Sequence, residues 1–412
     1  MTLIQFFRSS IVWGCLAGTL WGGEFNWPRW RGPEGTGHTQ ETGLPVTWSA
    51  KDVTYRVELE GWGQSAPMVW GDRIFLTSSS PNGKDRVVLC HDRNTGKQLW
   101  KKAVWAGDGE SLHKMNSWAT PSCVTDGKIV VAFFGRGGIH ALDMDGKLLW
   151  SHELGAFAGP WGIAASPVIV GDLVVQNCDA EETAFIVAFD KTTGKEAWRT
   201  PRDVNRGWST PIVVPVADHQ ELVVNGHSGV KSYDPASGKE LWFCKSFNGR
   251  GSPTVTTAQG LVFAVNGLAG DVYAIRPGGS GNVTASHMAW HTPRRKGRDL
   301  PSPIVVDNVL FVVSMTGVAT GYDPLQGTEM WNGRLAGNFS GSPVAASGLI
   351  YVQNEAGTVY VIKPLRDQLQ VEAENKLGDV GDEIFRASPA MSEGQFFFRS
   401  DKALYCVGIR KK

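Results

Sequence analysis

The sequence has no net charge: 40 Lys and Arg stand against 40 Asp and Glu in 412 residues. Nothing in that balance draws it over long range to nucleic acid or to an anionic lipid surface. Its six cysteines include no adjacent pair and no C-x-x-C, so neither a thiolate zinc site nor a dithiol redox motif is written here. Nine histidines form no H-E-x-x-H, which removes the helix-borne zinc hydrolase. Long amphipathic helices are also missing, and the apolar run from Ile11 to Trp21 is too short to span a bilayer comfortably.

What the chain has instead is 50 Gly, 21 Pro and 17 Trp. Gly and Pro at that density mean many turns, and the tryptophans need a packed interior or a binding surface. A folded, turn-rich β protein is expected. The N-terminus places Arg8 ahead of its apolar run, the order of a secretory signal over residues 1–23, and predicts a periplasmic or secreted protein without a transmembrane segment in the mature chain. Cys15 invites a lipoprotein reading, against which stand Trp13, where a small residue is wanted, and Arg8. Loss of Cys15 with a signal leaves an odd number of cysteines, which are expected to be small buried residues within strands.

A small residue, a proline and an apolar β-branched run recur together. The prolines are Pro67, Pro121, Pro167, Pro211, Pro253, Pro303, Pro343 and Pro389, about 40 to 54 residues apart. In the third unit SPVIV is followed by LVVQN, FIVAFD and KTTGKEAW, four short strands separated by turn residues. Eight such units predict a single all-β domain over 46–410: an eight-bladed β-propeller of four-stranded antiparallel blades. Residues 24–45, with WPRWRGPEGTG, are expected to form an irregular arm anchored by Trp27 and Trp30.

The segment NTGKQLW at 94–100 suggests a phosphate loop, but the chain there lacks G-x-x-x-x-G-K-S/T: His91 and Gln98 occupy the end positions. Asp92, Asp190, Asp234 and Asp323 each stand four residues before a glycine, and Asp143 three before Gly146, which describes a hairpin turn. The tryptophan that follows is Trp100, Trp150, Trp198, Trp242, Trp290 or Trp331, one per blade, and predicts a wedge between neighbouring blades. The eighth unit has no such tryptophan. The stretch VTWSAKDVTYRVEL at 46–59 supplies its last strand from the other end of the chain, with Tyr55 in the Trp position, and removes an exposed sheet edge.

The unit AFDKTTGKEAW, and more loosely SYDPASGKELW, resembles the PQQ-like repeat of quinoprotein dehydrogenases and BamB-like outer-membrane-assembly propellers. The opening WPRWRGPEGTG resembles the start of secreted PQQ-like proteins of planctomycete-type bacteria. The resemblance spans about 365 residues and implies the eight-bladed fold. The quinoprotein enzymes would imply PQQ with calcium, but their vicinal Cys-Cys pair and C-x-x-C-H haem motif are absent here, and no calcium ligand or catalytic Asp carries over. Asn116, Asn177, Asp179, Asn205 and Glu355 are scattered oxygen donors such a site would have to gather. The BamB-like side implies binding without cofactor, and the sequence departs in that direction.

The small-Pro strands are expected to be innermost, where blades crowd. Their feeding loops carry Trp62, Trp118, Trp161 and Trp208, then Arg250, Arg298, Phe339 and Arg386, with Arg206 and His113 alongside. Such a funnel has the composition of a binding hot spot; the same side chains could equally plug the channel. No catalytic residue, metal ligand or cofactor is assigned, and nucleic acid is not expected. The expected role is binding or scaffolding for a protein, a peptide or an extracellular polymer, with a PQQ- and calcium-dependent oxidoreductase as the alternative.

Overall fold

The repeated turn explains most of the architecture. Asp92 Oδ1 accepts the Asn94 and Thr95 N–H groups at 3.0 and 2.8 Å, and Asp190 does the same for Thr192 and Thr193. Gly96 and Gly194 follow at φ 71° and 72°, the left-handed region that only glycine enters without strain. Each turn joins the third strand of a blade to its outermost strand. A computed structural model describes residues 25–157, 159–245, 250–267, 270–294 and 298–411. Residues 1–23, assigned above to a signal, lie outside the described residues.

The strands form eight antiparallel sheets, each a blade with four strands in meander order. Blade 1 runs Met68–Trp70, Arg73–Ser79, Asp85–Asp92 and Gln98–Ala106. The remaining inner strands are Val124–Thr125, Val168–Val170, Ile212–Val216, Thr256–Ala258, Ile304–Val306, Val344–Ala346 and Ala390–Ser392. Neighbouring inner strands pack side by side around a central channel. In blade 8 the outermost strand is Val53–Glu58, so the two ends of the chain complete one sheet, as expected.

Blade 5 departs from the pattern. A hairpin turn is replaced between Val272–Ile275 and Met288–Thr292 by an insertion with the four-residue helix Thr284–His287. Its short strand Gly281–Asn282 adds in parallel to the outer strand Glu240–Lys245 of blade 4.

The blade tryptophans act between blades. The indole N–H of Trp100, Trp150, Trp198, Trp290 and Trp331 donates to a backbone carbonyl in the turn of the next blade: Met144, Lys191, Pro235, Pro324 and Leu365, at 2.8–3.0 Å. Tyr55 copies this with its hydroxyl on the Arg93 carbonyl at 2.9 Å. It pairs with Cys406, as Trp100 pairs with Cys90. Trp242 faces the blade whose turn is missing, and its N–H goes to the buried Glu221 carboxylate at 2.6 Å. The turn glycine serves this contact: a Cβ on Gly238 would stand 2.3 Å from the Trp198 ring. Burying a ring of this size contributes about 3 kcal/mol per blade junction.

Cys90, Cys123, Cys178, Cys244 and Cys406 are buried and unpaired. Burial in apolar surroundings pushes Cys90, Cys123 and Cys406 up to about 12, so they are packing residues without thiolate character.

Candidate functional site

Two residues ahead of each inner strand the eight blades meet in a ring. In six blades the residue there precedes the proline: Ala66, Ser166, Thr210, Ser302, Ser342 and Ser388. In blades 2 and 5 it follows the proline, as Ser122 and Thr254. The Ala66 N–H donates to the Ser122 hydroxyl, Ser122 to Ser166, Ser166 to Thr210, Thr210 to Thr254, Thr254 to Ser302, Ser302 to Ser342 and Ser342 to Ser388, all at 2.9–3.0 Å. Ala66 breaks the circle, since its methyl offers nothing to the Ser388 N–H. The sequence pattern reads as a small residue that fits a crowded axis. The structure adds the reason for a hydroxyl: it accepts a backbone N–H that the curvature of the ring leaves without a strand partner.

This ring forms the inner wall of a cavity of about 250 Å³ at one mouth of the channel. His113, Trp161, Trp208, Arg250, Arg298 and Arg386, all expected from the sequence, line it. The Trp161 ring carries the Arg206 and Arg250 guanidinium groups at 4.9 and 5.4 Å and stacks with His113 at 5.1 Å. Asn116 donates to the Trp161 and Ile163 carbonyls at 2.8 and 3.1 Å, tying the loop of blade 2 to that of blade 3. Trp208 donates to the Gly162 carbonyl at 2.9 Å, so blade 4 grips the same loop. Burial, reinforced by nearby Arg206 and Arg298 and opposed by Glu181, pulls the Arg250 pKa below the usual guanidinium value.

The other four expected residues lie elsewhere. Trp62 and Trp118 pack edge to face at 5.5 Å. Trp118 is held by its N–H on the Glu110 carbonyl and by the fully buried Arg86, which is ion-paired with Glu110 at 2.7 Å. Arg206 stands behind Trp161, paired with Glu181. Phe339 is fully buried against Tyr360 in the core between blades 6 and 7, so it cannot face a ligand. Its spacing in the repeat matches the rim positions, but its side chain turns inward.

Reasoning from the sequence did not place Trp30, Gln64 or Met115 at the cavity, yet all three line it. Trp30 arrives from the far end of the channel on the N-terminal arm. Trp27, fully buried, exchanges two 2.9 Å backbone bonds with Val69 of blade 1. Pro28 accepts the Thr125 N–H of blade 2, Arg31 donates to the Pro303 carbonyl at 2.7 Å, and Gly37 and Thr39 bond Ala345 of blade 7. The arm therefore crosses the channel and carries Trp30 to the cavity.

The five oxygen donors considered for calcium do not gather at this mouth. Asp179 is taken by a buried two-pronged pair with Arg202 at 2.6 and 3.0 Å. Asn177 bonds Ser209 and Asp179, Asn205 accepts the Arg206 N–H, and Glu355 holds Ser340 and Arg386 at 2.5 and 3.2 Å. Of the five only Asn116 lines the cavity, and its oxygen accepts from Ser117 and Thr120. Among the described residues, no group of three His, Cys, Asp or Glu could hold a metal ion.

A family model described as outer membrane protein assembly factor BamB matches residues 38–179, 182–283 and 268–400. The BamB of Burkholderia pseudomallei is 21% identical over 356 residues, covering 73% of this chain and 84% of the relative. Quinohemoprotein alcohol dehydrogenase ADH IIB of Pseudomonas putida is 28% identical over 251 residues, 56% of this chain but only 33% of that enzyme. The crystal structure of BamB from Moraxella catarrhalis superposes with a TM-score of 0.62 at 16% identity, covering 87% of this chain and 99% of that one, which speaks to the fold.

Proposed function

The chain belongs to the family of outer membrane protein assembly factor BamB, and from that premise we propose that it is an exported binding and scaffold propeller without a catalytic site of its own. Its partner is a protein or peptide, and the partner is held at the Trp- and Arg-lined mouth of the channel. The observation that carries this reading is the cavity itself, where Trp161, Trp208, Arg250 and Arg298 converge from different blades. Aromatic and arginine side chains on rigid scaffolds are the composition from which interface hot spots are built. The relatives' name, outer membrane protein assembly factor, favours a protein partner over an extracellular polymer.

A PQQ- and calcium-dependent oxidoreductase is the competing reading. What weighs against calcium is the donor set. The ion asks for six to eight oxygens, whereas among the described residues the cavity is lined by three arginines and no carboxylate. The chain is therefore taken to work without a cofactor.

Replacing Trp161 and Trp208 together with Ala tests the binding role. Partner capture should fall while the circular dichroism spectrum stays that of the parent; unchanged capture contradicts the reading. Titration with PQQ and calcium, followed by tryptophan fluorescence with a dye-reduction assay, tests the competitor. Saturable calcium-dependent quenching with dye reduction would overturn the cofactor-free reading.

A further inference from the structure

The cavity presents several hydrogen-bond donors that the described residues leave unused. Of its three arginines, Arg386 is neutralised by Glu355 at 3.2 Å. Arg206, just outside the lining, is neutralised by Glu181. Among the described residues Arg250 and Arg298 have no carboxylate partner, and no Asp or Glu lines the cavity. The Trp161 Nε1 and Gln64 Nε2 donors are shielded from solvent and, among the described residues, have no hydrogen-bond partner. The wall adds a second set. Ser122, Ser166, Ser302, Ser342 and Ser388, each at most 5% exposed, accept a backbone N–H and, among the described residues, donate to no partner. Arg250 is half-buried beside the shielded Trp161 and Gln64 donors, where an anion would complete its charge, and Arg298 stands exposed at the rim of the same cavity. Met115, Leu300 and Met315 supply an apolar part of the same lining.

We propose that the channel mouth is an anion site for a carboxylate carried on an apolar body, with Arg250 and Arg298 as its charge partners and the Trp161 N–H and the seryl ring as orienting donors. This rests on the binding role proposed above and names the chemistry recognised there. The carboxylate can come from a free organic acid or from an acidic side chain flanked by apolar residues in a partner chain.

The test is isothermal titration calorimetry on the full mature chain with four probes: 3-phenylpropanoate and its primary amide, and the capped tripeptides Leu-Glu-Leu and Leu-Gln-Leu. Both carboxylates are expected to outbind their neutral counterparts by about tenfold or more, the worth of one charge-assisted hydrogen bond. Tighter binding of Leu-Glu-Leu than of 3-phenylpropanoate assigns the site to a partner chain, and the reverse order assigns it to a free acid. Arg250→Gln and Arg298→Gln should each weaken the acids by about tenfold and leave the amides unchanged. The unfolding midpoint of each variant reports that the propeller is intact. Equal binding of acid and neutral probe, or acid binding unchanged in the double variant, overturns the proposal. Photo-crosslinking of a partner from the mouth uses no carboxylate probe, so it can succeed where this proposal fails.

Discussion

The break in the hydroxyl ring gives a stabilising substitution that can be named in advance. Seven ring N–H groups donate to a neighbouring hydroxyl, and at the remaining junction Ala66 has no hydroxyl to offer the Ser388 N–H. The inner strands of blades 8 and 1 pack as the other pairs do. Ala66 also borders the cavity, so a hydroxyl there has room. Ala66→Ser should supply the eighth bond and raise stability by about 0.5–1.5 kcal/mol, the net worth of one intramolecular hydrogen bond. Ala66→Thr against Ala66→Val separates the hydroxyl from its bulk, since Thr210 and Thr254 already serve at this position. The converse change, Ser302→Ala, leaves the buried Thr254 N–H without a partner and should cost about 1–3 kcal/mol. Urea unfolding followed by both fluorescence and far-UV circular dichroism provides the free energies when the two curves coincide. An Ala66→Ser protein no more stable than the parent, or a harmless Ser302→Ala, would refute the ring as a source of stability.

Other consequences follow from the blade junctions and the core. Gly238→Ala and Trp198→Ala should each destabilise, but the pair together should cost about 1–3 kcal/mol less than their sum, because removing the ring removes the 2.3 Å clash; additive costs in the double-mutant cycle would contradict the wedge. Phe339→Ala should cost about 3–5 kcal/mol as a core cavity and leave the affinity of the folded protein for its partner unchanged. Burial lowers the His140 pKa to about 4, and its ring donates to the Gly137 carbonyl. The unfolded chain takes up a proton near pH 6.5 that the native state refuses, so stability is lost as pH falls from about 6.5 to 4. His140→Gln should flatten that loss, by up to about 3 kcal/mol; an unaltered pH profile would rule out this cause.

Much of this fold is legible in the sequence because each blade repeats its own punctuation. The Asp and Gly of the turn, the following tryptophan and the small-Pro element mark three of the four strands, and Tyr55 marks the closing strand at 46–59. The candidate site was less legible. Trp161, Trp208 and the arginines could be placed because their loops precede the inner strands. Phe339 occupies an equivalent position but turns inward to Tyr360, and chain position alone does not fix side-chain direction. The seryl ring was written in the sequence as Ser or Thr beside seven of the eight prolines, with Ala66 before Pro67 as the exception. In blades 2 and 5 the hydroxyl residue lies on the other side of that proline, which hides the register. Trp30 was invisible as a lining residue because the arm contacts blades 1, 2, 6 and 7, all distant from it in sequence.

The central claim, that a partner protein is held at the channel mouth, is tested most directly by site-specific photo-crosslinking in cells. A photoreactive residue at Leu300, which is 39% exposed at the cavity, is compared with one at Asp172, exposed in a turn at the opposite end of the channel. A discrete crosslinked partner from Leu300, absent from Asp172 and lost when Trp161 and Trp208 are replaced with Ala, is the expected result. Crosslinks from Asp172 alone, or from Leu300 regardless of those tryptophans, would contradict it.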